Sequence, residues 1–144
     1  YLMYAEASNE TKDAPDADVY EYIQKVRDRA GLDEGSDLVS TWQMHSSNPS
    51  KPVTKDGMRE IIHQERMIEL ALEGHRYWDL RRWQLAGEYF SKPIRGWNIF
   101  KPDVEGFSEV ENIFYRNYLT KDYLWPISQT ELLRNPNLIQ NPGW

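Results

Sequence analysis

The chain has 144 residues and carries 17 Lys and Arg against 23 Asp and Glu, a formal net charge of -6; at that length it is expected to form one domain. A net negative charge repels phosphate backbones and anionic bilayers, which argues against nucleic acid as a partner. The lack of cysteine excludes disulfides, thiolate metal sites and cysteine nucleophiles, and no apolar run approaches the roughly 20 residues that span a bilayer.

The opening Tyr1-Leu2-Met3-Tyr4-Ala5-Glu6-Ala7 reads as helix interior, so the sequence is expected to be a piece of something longer whose targeting signals lie elsewhere. This first helix ends near Asn9. Pro15-Asp16 opens a second, on which Val19, Tyr20, Ile23, Val26 and Ala30 follow the 3.6-residue period. Gly31 can take the left-handed conformation that closes a helix, with Leu32 folding back on it. Residues 33–53 turn polar, with only a short Leu38-Val39-Ser40-Thr41-Trp42 segment inside them, and are expected to form a surface loop. Thr54 is the expected N-cap of a third helix running to about Glu73, and after Gly74 a further helical segment covers Arg76 to about Ala86. Residues 91–125 mix Gly, Pro, Asn and scattered aromatics. A short strand is expected over residues 118–127, and Ser128-Gln129-Thr130-Glu131 reads as a capping box opening a last turn of helix.

On the third helix, Met58, Ile61, Ile62, Ile68 and Leu72 share one arc, with Glu65 and Glu69 in its middle. An unpaired buried carboxylate costs several kcal/mol, so both groups call for cationic partners. Arg27 and Arg29 end the second helix, while Arg76, Arg81 and Arg82 follow close behind, and Asp79 can reach Arg76 or Arg82 at helical spacing. Two readings compete. Carboxylates one helical turn apart have Cβ atoms about 6 Å apart, near the roughly 5–5.5 Å carboxyl spacing of a retaining glycosidase. A ring of arginines, however, would hold both groups ionised, so Glu65, Glu69, Arg76, Asp79, Arg81 and Arg82 are read as a structural ion-pair network with no catalytic residue. His45, His63 and His75 show no metal-ligand spacing, and neither a metal nor a cofactor is expected.

Six Trp, nine Tyr and four Phe are many for this length. Tyr77, Trp78 and Trp83 lie among the arginines at helical spacing and are expected to pack a helix junction. Trp42, Trp97 and Tyr115 lie among Asn, Ser and Gly and belong to no apolar period. Flat aromatic faces beside amides and hydroxyls suit sugar rings, which makes these three the candidate glycan contacts.

Four blocks resemble, in order, the C-terminal part of the SusD/RagB family of outer-membrane lipoproteins: Tyr4-Ala5-Glu6-Ala7 with Asn9-Glu10; Tyr22-Ile23-Gln24-Lys25-Val26-Arg27-Asp28-Arg29-Ala30-Gly31-Leu32; Glu65-Arg66 through Glu73-Gly74-His75-Arg76-Tyr77-Trp78-Asp79-Leu80-Arg81-Arg82-Trp83; and Leu124-Trp125-Pro126-Ile127 through Asn135-Pro136-Asn137-Leu138-Ile139-Gln140-Asn141-Pro142-Gly143-Trp144. Ser128 departs from the proline more usual after Pro-Ile, and residues 33–53 are particular to this chain. The resemblance implies a mainly α fold of tetratricopeptide-like helix pairs, an α-α superhelix with long irregular loops and at most short β strands. Residues 1–144 would then be a single C-terminal domain or subdomain of a longer lipoprotein. It implies a non-catalytic, cell-surface protein that binds oligosaccharide and serves a SusC-like TonB-dependent transporter, touching the membrane only through an N-terminal lipid anchor outside this sequence. A helical-repeat scaffold that binds only protein and a glycosidase using Glu65 and Glu69 are the alternatives.

Overall fold

The computed structural model describes residues 1–32 and 35–144, so the start of the expected loop, residues 33 and 34, lies outside the described residues. The chain is mainly α, with eight helices and one two-stranded sheet among the described residues. It forms two compact units, Tyr1–His75 and Arg76–Trp144.

In the first unit, α1 (Leu2–Thr11) packs on α2 (Ala17–Arg29) and on α4 (Lys55–Glu69). Asp16 caps α2 by accepting from the Val19 amide at 3.2 Å, which satisfies one of the orphan donors at a helix start. Val19, Ile23 and Val26 then fall on one face and are buried. At the far end Gly31 takes φ +72°, and its amide donates to Asp28 while the Leu32 amide donates to the Arg27 carbonyl at 2.9 Å. That is the Schellman closure, available because glycine has no Cβ to clash in the left-handed region. Leu2, Ala5, Val19, Ile23, Val26, Leu38, Met58, Ile61 and Ile62 form one core cluster. Each large member contributes on the order of 1.5–3 kcal/mol by leaving water.

Polar ties cross this core. Arg59 grips both oxygens of Glu10, at 2.5 and 2.6 Å, and Asn9 donates from its amide to the Lys55 carbonyl at 3.1 Å, so α1 is bound to the start of α4. Thr54 caps α4 through the Gly57 amide at 3.1 Å.

The expected loop over residues 33–53 contains more order than its composition suggests. Asp37 caps a helix, α3 (Leu38–His45), through the Ser40 amide at 2.9 Å, and a short 3-10 turn covers Lys51–Val53. Leu38 is buried in the core, and its amide donates to the Gln24 side chain; docking of that one leucine holds a helix that periodicity alone does not announce. The third predicted helix, in contrast, is shorter than expected. α4 stops at Glu69, and Leu72 (φ +67°) and Gly74 (φ +78°) turn the chain in the left-handed region. Ile68 is 58% and Leu72 106% exposed. A stripe that meets no apolar surface gains only helix propensity, a few tenths of a kcal/mol per residue, which does not hold a terminal turn.

The second unit, from Arg76, holds all but the first residue of α5 (His75–Arg82) and all of α6 (Ala86–Phe90), separated at Gln84, whose φ is +60°. β1 (Ile94–Trp97) pairs antiparallel with β2 (Val110–Phe114), and a short α7 (Val104–Phe107) lies in the connection, capped by Asp103 on the Gly106 amide. The register slips so that Ile113 is an extra residue on β2. A Cβ on Gly96 would strike the Ile113 side chain, so glycine is what lets the bulge close against β1. No strand forms over residues 118–127; a 3-10 turn occupies Thr120–Tyr123 instead. α8 (Gln129–Arg134) follows Ser128, whose side chain makes no capping bond, so the expected capping box is not formed.

Candidate functional site

The acidic pair on α4 is engaged from α2. Glu65, 8% exposed, accepts from Arg27 at 2.5 Å, and the half-buried Glu69 accepts from Arg29. Arg66 and Glu6 add a second, longer buried pairing at 4.0 Å. A buried carboxylate held by a guanidinium is engaged in fixing helix register, which suits a structural role.

The arginines of α5 take three different roles. Arg82 pairs with the buried Asp79 at 2.9 Å. Arg76 lies over the rings of Trp83 and Tyr89, at 5.9 and 5.0 Å from their centroids. Arg81 departs most from the expected carboxylate pairing. It donates to the Tyr77 hydroxyl at 2.7 Å, to the Asp122 carbonyl at 2.8 Å and to the Tyr123 carbonyl. His75 is exposed, with Nε2 at 3.8 Å from the Glu73 carboxylate. Among the described residues no group of three His, Asp or Glu could hold a metal ion, and no helix is long and apolar enough to cross a membrane.

The three aromatics singled out in the sequence fall in different units. Trp42 lies in the first unit, on α3, where it is half-buried against the core and has the Lys51 ammonium 5.4 Å over its ring. It is therefore a helix residue and not the loop residue expected. Trp97 and Tyr115 lie in the second unit, at opposite ends of the hairpin. Trp97 has Phe107 stacked near it at 6.4 Å and 18°, and the Tyr115 hydroxyl accepts from the Asn112 amide at 3.0 Å.

A concave surface that sequence reasoning passed over is built in the second unit from the chain's last block. Gln140 brackets the backbone of Ile127, accepting its amide at 2.9 Å and donating to its carbonyl at 3.0 Å, while Asn141 donates to the Trp125 carbonyl at 2.6 Å. Gly143, at φ +87°, then turns the chain beside Lys121. This brings Trp144 under residues 121–124, where its indole N-H is shared by the Lys121 and Leu124 carbonyls at 3.1 Å each and Lys121 sits 4.0 Å over its ring. On the other wall, Tyr77 stacks on Phe90 at 5.6 Å, Phe90 meets Tyr118 at 5.5 Å, and Tyr118 meets Tyr123 edge-on at 5.1 Å. Burial pushes the Tyr118 phenol above its ordinary pKa, so it stays protonated near neutrality and donates to the Asp122 carbonyl at 3.1 Å.

Between these walls opens a cleft of about 330 Å³, lined by Tyr77, Tyr118, Trp125 and Trp144 together with Arg81, Asp122, Leu124 and Pro126. Such a volume is at the small end for ligand sites, and an aromatic lining with a few fixed polar groups is their usual make-up. The sequence signal lies in Trp125 and Trp144, nineteen residues apart, but both belong to the block that carries the family resemblance.

The model of the SusD family matches residues 1–144, the whole chain. SusD-like protein P2 of Formosa agariphila is 37% identical over 99% of this chain and 24% of its own length. Among solved structures, BT4246 aligns with a TM-score of 0.79 at 28% identity, covering 100% of this chain and 23% or less of that one. A SusD-like protein from Bacteroides fragilis NCTC 9343 aligns with a TM-score of 0.71 at 31% identity, covering 100% of this chain and 24% of that one. The chain thus spans about a quarter of the length of the relatives it matches.

Proposed function

The chain belongs to the SusD family, and from that premise we propose that it is part of a glycan-binding, non-catalytic component of a nutrient-uptake complex on the outer membrane. The observation that carries this reading is the family match over every residue, with the helix pairs in place. In it, the full protein is a cell-surface lipoprotein that takes oligosaccharide and passes it to a SusC-like TonB-dependent transporter. Its lack of catalysis is supported by the state of the two α4 carboxylates. A glycosidase needs one carboxyl of raised pKa and a second free to act as nucleophile or base; Glu65 and Glu69 are both spent on arginines.

The test uses the full-length protein and digests of several polysaccharides. A rise in melting temperature with at least one digest, without release of reducing sugar, is the expected result. Release of reducing sugar by the purified protein overturns the non-catalytic part. Co-purification of a transporter with no response to any digest replaces the reading with that of a protein-binding scaffold.

A further inference from the structure

We propose that the cleft between Tyr77, Tyr118, Trp125 and Trp144 is a subsite for a neutral sugar, with Trp125 as its stacking platform; this rests on the glycan-binding reading above and deepens it. Trp125 is 67% exposed although its backbone is clamped at the carbonyl by Asn141 and flanked by Pro126. A large ring held out to solvent on a fixed backbone loses little freedom when a ligand settles on it, which is the economy of a binding anchor. The C-H face of a pyranose is the natural complement of such a ring, and its hydroxyls need donors and acceptors at the edge. These are present. The Tyr77 hydroxyl accepts from Arg81 and, as an O-H group, can also donate, and Asp122 spends one carboxylate oxygen on the Leu119 amide.

Charge decides the class of sugar. The lining holds one cation and one anion, Arg81 and Asp122. Arg81 is engaged by Tyr77, by the Trp78 ring and by the carbonyls of residues 122 and 123, and the neighbouring Lys121 is seated on the Trp144 ring. Recognition of a uronate or sulfate calls for a guanidinium or ammonium turned toward it; here the cations are turned to carbonyls and rings.

Full-length protein labelled with 5-fluorotryptophan, titrated with oligosaccharides of cellulose, xylan, mannan and starch beside oligogalacturonate and a sulfated oligosaccharide, tests this. The expected result is that a neutral ligand shifts the fluorine signals of Trp125 and Trp144 and leaves those of Trp42 and Trp97 in place. By calorimetry Trp125→Ala then weakens that ligand roughly tenfold or more, and Trp125→Phe restores most of the loss. Because the fluorine readout uses the natural sequence, it decides even where Trp125→Ala fails to fold. Binding of a neutral glycan that moves Trp42 or Trp97 and not Trp125 overturns the cleft while the glycan reading stands. Binding of the anionic sugars alone overturns its neutrality, and binding of none overturns both.

Discussion

The two units solve the same problem with different materials. Tyr1–His75 buries a contiguous set of aliphatic side chains on α1, α2, α3 and α4 and ties the helices across that core with carboxylate–guanidinium pairs. In Arg76–Trp144 the buried apolar side chains among the described residues are Leu80 and Ala86. Its irregular segments are held instead by stacked rings, by arginines on backbone carbonyls, and by amide side chains that imitate a strand partner. Arg116 repeats the device, donating to the Tyr89 and Lys92 carbonyls beneath the Phe90 ring. The difference shows why regular helices can be read from periodicity while loops cannot: an aliphatic core demands a repeat, whereas a guanidinium needs only a carbonyl within reach.

The largest effect that would sharpen this contrast comes from the first unit. Glu65→Gln removes the charge facing buried Arg27 and is expected to cost about 2–3 kcal/mol in urea unfolding. Glu69→Gln, whose partner Arg29 is largely exposed, is expected to cost about 1 kcal/mol or less. Equal losses from the two changes would break the distinction between buried and rim pairs. In the second unit, Arg81→Ala is expected to cost about 1.5–3 kcal/mol, the range for hydrogen bonds from a charged donor. Arg81→Lys is expected to recover little, because an ammonium cannot hold two carbonyls and a hydroxyl in one plane. Hydrogen exchange at residues 119–124 reads the result, and full protection in Arg81→Lys would reduce the guanidinium fork to a simple charge.

The smallest effect is one of pH. The Arg59 guanidinium on Glu10 holds that carboxyl below its ordinary range, and the Lys12 ammonium on Asp16 and the Ser40 amide on Asp37 act in the same direction. A depressed folded pKa contributes stability that is complete above the ordinary carboxylate range and is lost as pH falls through the lowered value. The first unit is therefore expected to lose protection at α1 and at the starts of α2 and α3 on acidification below that range. Glu10→Gln should flatten the α1 part of the profile, and an unchanged profile would remove the clamp from the account.

Much of the first unit was legible because its signals are local. Asp16 and Gly31 bound α2 by backbone chemistry alone, and the Val19, Ile23, Val26 period gives its buried face. α3 is not legible in the same way, since it depends on where Leu38 docks, and α4 is shorter than its apolar stripe because periodicity says nothing of where the opposing surface ends. In the second unit Tyr118 and Tyr123 gave a strand-like composition that serves ring packing instead of pairing, while the bulged hairpin, with Gly96 and Asn98 in its first arm, lacks the alternation that marks a strand. The candidate cleft was hidden for a further reason: its walls come from α5 and the last block, and only the Gln140–Asn141 clamp and the Gly143 turn bring them together.

Arg81 bonds to the carbonyls of residues 122 and 123, and every amino acid presents the same carbonyl. The latch is therefore blind to which side chains occupy those two positions. Variation there leaves the Arg81 bonds in place and is felt only through what the two side chains themselves hold: the Leu119 amide on Asp122, and the Tyr118 ring and Gly87 amide on Tyr123.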